Sequence, residues 1–138
     1  MKIHKDNEKT VKVIAGKFNS TEGPVNKHNV HPLYFDVVLN KDKIFDFNLP
    51  ETHNSFIYLI NGEIKVGEKK HEKITDSKLV LLTKGSKLKV KSLIKSNFLL
   101  ISGKPIGEKI ARGGPFVMNT KAEILEAIND YHNGTFVK

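Results

Sequence analysis

The strongest constraint in this sequence lies near its end, where Gly114-Pro115-Phe116-Val117-Met118-Asn119-Thr120 runs into residues 121–134. Pro115 fixes its own φ and disfavours a helical Gly114, so the chain is expected to arrive extended. Thr120 and Glu123 have the spacing of a capping box, in which each side chain satisfies an amide at a helix start. Ile124, Leu125, Ile128 and Tyr131 recur at helical intervals and predict one apolar stripe. Each would contribute about 2 kcal/mol if fully buried. Gly134 stands where a left-handed C-terminal cap is wanted. Gly113-Gly114 before a proline reads as a turn rather than an anion cradle. No other segment is as clearly helical, so the preceding residues must form the body on which this one packs.

Those preceding residues read as short strands. Met1 to Thr10 is polar and is expected to be a flexible N-terminal segment. Val11 to Phe18 predicts a strand ending near Gly16, and Asn19 to Pro32 predicts an irregular loop. Leu33, Phe35, Val37 and Leu39 alternate with Tyr34, Asp36 and Val38, the period of a half-buried strand. Ile44 to Leu49 places Phe45, Phe47 and Leu49 on one face. Phe56 to Ile60 predicts a hydrophobic strand, and Asn61-Gly62 a two-residue hairpin turn back into Glu63 to Val66. Gly67 to Lys70 predicts a further turn, and Leu79 to Leu82 a short buried strand. Lys87 to Lys91 alternates lysine with Leu88 and Val90, and Phe98 to Ile101 predicts the next strand. Eight or nine strands followed by one helix predict an all-β antiparallel sandwich or jelly-roll barrel with a single C-terminal α-helix.

Charge decides which partners to consider. The formal net charge is +8, yet Arg112 is the only arginine. Lysine is a point charge without the planar fork that reads guanine or clamps phosphate. The lysines are also scattered, so they read as solvated strand faces, and specific nucleic-acid binding is not expected. The chain has no cysteine, no apolar run of the ~20 residues needed to span a bilayer, and no leader-like start, which suits a cytoplasmic protein. No Gly-x-Ser-x-Gly elbow, phosphate-binding loop or dinucleotide fingerprint is present.

The segment Gly103-Lys104-Pro105-Ile106-Gly107-Glu108, the run Gly114 to Thr120, and Glu123-Ile124, Ala127, Asp130-Tyr131 and Gly134 closely resemble the end of the pirin C-terminal domain. Val11 to Gly16 and Phe56 to Glu63 fit the same domain in the same order. The resemblance covers residues 11–138 as a single domain and implies the cupin version of the jelly roll. Pirins are two-domain cupin proteins, and only their second half is matched here.

The resemblance also poses the question of a metal. Catalytic cupins use a His-x-His…Glu pattern and a later His, a donor set suited to divalent iron. Registered on Tyr58 and Asn61-Gly62-Glu63, the two His positions fall on Asn48 and Pro50, the Glu position on Asn54, and the later His near Leu88. Pro50 has no donor and asparagine is a poor iron ligand, so no metal and no cofactor is expected here. Iron is expected only in a companion N-terminal pirin domain. His28, His31 and His53 are the remaining metal candidates. His4 and His71 read as surface residues, His53 too reads as a surface or capping histidine, and His132 suits the negative end of the helix dipole. Glu108 and Arg112 read as a structural ion pair.

In pirins the two cupin halves face each other, and the C-terminal segment reaches towards the N-terminal half. The resemblance therefore implies a homo-oligomer, or a separate pirin N-terminal-type chain, covering Gly114, Pro115, Phe116, Val117, Met118, Asn119, Thr120 and Glu123. Three readings of function follow: a metal-free, non-catalytic assembly module; one half of a split or truncated quercetin 2,3-dioxygenase; and a pirin-type regulatory protein. The expectation leans away from an enzyme, because the implied dioxygenase chemistry belongs to the other half.

Overall fold

The computed structural model describes residues 2–25, 29–67 and 72–137. In chain order the strands are β1 (Lys2–Lys5), β2 (Lys9–Ala15), β3 (Lys17–Phe18), β4 (Thr21–Glu22), β5 (Leu33–Leu39), β6 (Ile44–Asn48) and β7 (Asn54–Asn61). There follow β8 (Glu63–Val66), β9 (Glu72–Thr75), β10 (Lys78–Leu81), β11 (Lys87–Ser92), β12 (Ser96–Gly103), β13 (Ala111–Gly113), β14 (Phe116–Met118) and the helix α1 (Lys121–Asn133). The sequence alone marks one domain over 11–138. Contacts gather the chain into two compact units, one up to Pro105 and one from Ile106.

The first unit is two antiparallel sheets. One runs β1-β2-β5-β12-β7-β10, the other β6-β11-β8-β9. Alternation builds the interior: along β5 the residues Phe35, Val37 and Leu39 are fully buried, as are Phe98 and Leu100 on β12. The two inner faces meet where Phe45 of β6 lies edge-on to Phe98 of β12, with ring centroids 5.6 Å apart. Phe18 stacks on Phe45 at 5.5 Å and meets Phe35 edge-on at 5.7 Å. Two sheets packed face to face are the sandwich solution for strands with one apolar face. Among the described residues no strand pairing joins the two sheets, so this unit is a sandwich and not the closed barrel that its pattern equally allowed.

Three local readings need correction. First, residues 2–10 are ordered in a strand and turn rather than frayed. The Asp6 carboxylate accepts the amides of Glu8 at 2.7 Å and Lys9 at 2.8 Å, closing a turn that returns β1 onto β2. The Glu8 amide, seconded by the amide and ammonium of Lys9, holds the Asp6 pKa down to about 2. A strand needs backbone partners before it needs an apolar face, and composition cannot report them.

Second, Asn61-Gly62 is not a hairpin. β7 and β8 belong to different sheets, so this corner carries the chain from one layer to the other. Gly62 has φ +104, and a Cβ there would lie 2.7 Å from Ser96 Cα. Its amide is bonded to the Asp76 carboxylate, and the Ser96 hydroxyl accepts the Glu63 amide at 3.1 Å. Gly62 serves a layer crossing as readily as a tight turn, because each can use the positive φ that glycine adopts without strain.

Third, Leu79 to Leu82 forms a strand but not a buried one. β10 is the edge of the six-stranded sheet, where Leu79 is 58% and Leu81 76% exposed.

Candidate functional site

The sequence register for a metal leads to the space between the sheets. A cavity of about 280 Å³ opens there, walled by Leu49, Ile74, Val80, Leu82 and Leu88 among others. Leu88 is buried and projects from β11 at one of the positions where the family pattern would want a donor. Asn48 ends β6, paired across the sheet with Lys87, and Pro50 is exposed. The Asn54 carboxamide oxygen accepts the Lys84 ammonium at 2.9 Å. Hydrocarbon, a proline and an engaged amide do not fit an iron ion, which needs converging imidazole and carboxylate donors. Among the described residues, no group of three His, Cys, Asp or Glu side chains is placed to hold a cation.

The candidate histidines are arranged otherwise. His28 lies outside the described residues, as do His71 and residues 68–70 of the predicted turn. His53 is not a surface histidine: it is 7% exposed. Its Nδ1 lies 3.0 Å from the Ser102 hydroxyl, which also accepts the Ser55 hydroxyl at 2.8 Å. The three residues close one end of the six-stranded sheet with polar side chains, where β7 and β12 pair Ser55 with Ser102. Burial pushes the imidazole below the usual histidine range, and the positive charges of His31, Lys84 and Lys104 act the same way. Burial thus disfavours the charged form of a ring whose Nδ1 is held by the Ser102 hydroxyl. His31 itself is exposed, at φ +44, and brings no third donor. Burial of His53 was not legible, since its polar neighbours in sequence suggest a surface loop.

The second unit is where the sequence signature acquires a physical meaning. β13 and β14 pair as a hairpin around Gly114-Pro115, and Gly114 takes φ +56. The chain therefore turns at Gly114 instead of arriving extended. Gly113 is required for contact: a Cβ there would fall 2.4 Å from Ile124 Cγ2, so the helix sits directly against the hairpin backbone.

The capping box forms as expected. The Glu123 amide donates to the Thr120 hydroxyl at 3.2 Å, and the Glu123 carboxylate accepts the Thr120 amide at 2.7 Å and the Asn119 amide at 3.1 Å. Bonds from the Thr120 hydroxyl and from these amides hold that carboxyl below its usual range. The Asn119 carboxamide donates to Glu108 at 3.0 Å and to the Lys109 carbonyl at 2.8 Å. Glu108 is thus tied to Asn119, and no ion pair links it to Arg112. Gly134 caps the helix at φ +70.

The helix buries a narrower face than its stripe suggests. Ile124 and Ala127 are buried, while Leu125 is 63% and Tyr131 67% exposed. Leu125 lies one residue, about 100°, off the line of Ile124 and Ile128. Tyr131 turns instead to an aromatic group, with Phe116 at 6.3 Å, and Phe116 in turn meets Phe136 at 5.2 Å. With Pro115, Ile128 and His132 these rings line an open, mainly apolar cavity of about 430 Å³. The Gly-Pro turn, Phe116 and the last turns of the helix are thereby parts of one device that builds a pocket. Phe136 lies beyond the recognised run, and no periodic signal marks it.

This architecture has relatives. Residues 34–137 match the model of the pirin C-terminal cupin domain. The chain belongs to the pirin family. It is 32% identical over 133 residues to a pirin-like protein of Caulobacter vibrioides, covering 96% of this chain and 47% of that protein. It is 35% identical over 127 residues to human pirin, covering 90% of this chain and 43% of that one. The crystal structure of quercetin 2,3-dioxygenase from Acinetobacter baumannii superposes with a TM-score of 0.81 at 29% identity, over 96% of this chain and 45% of that one. This pirin-type cupin domain therefore spans about half the length of the relatives it matches. No helix among the described residues is long and apolar enough to cross a membrane.

Proposed function

We propose that this pirin-type domain is a metal-free, non-catalytic module that works by docking, and that its docking element is the C-terminal unit. The observation that carries this reading is the aromatic pocket of Phe116, Tyr131 and Phe136, left open on a unit whose described residues bury only Ile124 and Ala127 as hydrophobic core. A unit of this size cannot be held by so small a core alone. Exposed apolar side chains around it, Val117, Leu125 and Phe136 among them, are what a partner would cover. The partner we infer is a pirin N-terminal-type cupin domain, supplied by a separate chain or by further sequence. Leu88, Pro50 and the Lys84-bound Asn54, standing where the family pattern wants donors, support the metal-free part of the reading.

The test is titration calorimetry with the recombinant N-terminal half of the Caulobacter relative. Binding that is lost in Tyr131→Ala and Phe136→Ala supports the proposal; equal binding by those variants contradicts it. Stoichiometric iron or nickel in the purified chain would overturn its metal-free part.

A second reading is one half of a split or truncated quercetin 2,3-dioxygenase. It is favoured by the half-length match to the Acinetobacter enzyme. In that case the mixed halves would consume quercetin, and neither half alone would. A regulatory role has no separate observation in its favour.

A further inference from the structure

The four edges of the two large sheets are not alike. β1 carries Lys2 and Lys5, β6 carries Asp46, and β9 carries Glu72 and Lys73. Charges of this kind keep an edge from pairing with another chain. β10 has one charge, Lys78, at its start, and continues as Leu79-Val80-Leu81 with both leucines largely exposed. Among the described residues no strand covers its outer side.

The backbone of this edge has a definite polarity. The Leu82 amide donates to the Ser55 carbonyl at 3.0 Å, and β10 pairs Val80 with Ile57 and Leu81 with Phe56. In an antiparallel ladder, hydrogen-bonded and non-bonded pairs alternate. Val80 therefore spends its amide and carbonyl on β7, while those of Leu79 and Leu81 point away from the sheet. Side chains alternate as well. Leu79 and Leu81 share the outer face, and Val80 faces inward, where it lines the sandwich cavity.

We infer that β10 is a self-association edge, pairing antiparallel with β10 of a second copy about a two-fold axis at Val80. That axis sets Leu79 opposite Leu81 of the second copy, and the reverse. It is the register in which the outward amides and carbonyls of both strands meet, giving four backbone hydrogen bonds. The same register puts outer face beside outer face and makes two leucine pairs. Shifting it by one residue would set an outward leucine against an inward valine and misalign the backbone groups. The interface is isologous, as a closed dimer requires. With four residues a side the contact is small, so association is weak and concentration-dependent. Each copy carries a net charge of +8, so salt strengthens it by screening repulsion. The inference stands apart from the companion-domain reading, which rests on the C-terminal unit.

The absence of cysteine supplies the experiment. At the axis, Val80 and its counterpart form a non-bonded pair with Cα atoms about 4.5 Å apart, within reach of a disulfide. Val80→Cys under mild oxidation is expected to give a covalent dimer. Leu79→Cys is not, because its own counterpart lies roughly 8 Å away. Sedimentation velocity on the unmodified chain should show a monomer–dimer equilibrium that tightens between 50 and 500 mM salt. Leu81→Lys and Leu81→Pro should each weaken it at least tenfold while the thermal midpoint stays within a few degrees, since the Leu81 amide serves no bond inside the sheet.

A monomer at all concentrations to 1 mM would overturn the inference, as would equal cross-linking at positions 79 and 80, or a dimer indifferent to both Leu81 variants. If the chain is monomeric alone yet Leu81→Lys weakens capture of the companion cupin half, the edge serves that partner and self-pairing is wrong.

Discussion

The sandwich and the C-terminal unit use apolar residues in opposite ways. The sandwich turns them inward: sixteen buried side chains form one cluster, with four phenylalanines, Phe18, Phe35, Phe45 and Phe98, at its centre. The C-terminal unit leaves most of its apolar residues at the surface and arranges three rings around an open pocket. Hydrogen bonds follow the same division. In the sandwich, polar side chains such as His53, Ser102 and Ser96 are buried and satisfied. In the C-terminal unit the Thr120–Glu123–Asn119 set is exposed and serves to shape a helix entry. One region stores stability and the other presents a surface, so substitutions should separate them.

The largest effect is expected in the core. Phe98→Ala removes a fully buried ring that meets Phe45, and should cost about 3–5 kcal/mol by chemical denaturation. A loss below 1 kcal/mol would mean that the two sheets do not depend on each other.

Next comes the polar end of the sandwich. His53→Ala leaves the buried hydroxyl of Ser102 without its imidazole and should cost about 1–3 kcal/mol. His53 also sets a pH dependence. Its folded pKa lies below the ordinary 6.5, so the unfolded chain binds the proton more readily. The stability it provides is fully present above 6.5 and falls as pH drops through that value towards the folded pKa. Thermal midpoints from pH 7.5 down to 5 should decline in the parent chain. In His53→Gln the decline should be shallower, and an unchanged slope would assign it to other groups.

A smaller effect is expected in the helix entry. Thr120→Ala removes the cap and should cost about 1 kcal/mol, read as faster amide exchange along the helix with little change in the sandwich strands. Simultaneous loss of protection in β5 and β12 would show that the two regions unfold as one.

The smallest stability effect belongs to the pocket. Tyr131→Ala alters a side chain 67% exposed and should move global stability by no more than about 0.5 kcal/mol. Its effect should appear only in partner binding. A large destabilisation would return Tyr131 to the core role that its helical spacing suggests.

The residues alone determined whatever depends on local periodicity and local chemistry. Alternation in Leu33 to Leu39 placed Phe35, Val37 and Leu39 inward, and Lys87 to Lys91 did the same for Leu88 and Val90. Thr120, Glu123 and Gly134 marked both ends of α1, because caps are made by residues within a turn of each other. Tertiary structure alone decided which faces stay covered and which strands are neighbours. An edge leucine and a core leucine read the same along the chain, so Leu79 and Leu81 were indistinguishable from buried residues until β10 took its place at the end of the sheet. Asn61-Gly62 permits positive φ but does not say which strand follows as partner. His53 became a buried, hydroxyl-bound ring only when β12 brought Ser102 to it from 49 residues away. Backbone conformation is a property of a few consecutive residues, whereas burial and pairing are properties of pairs distant in sequence.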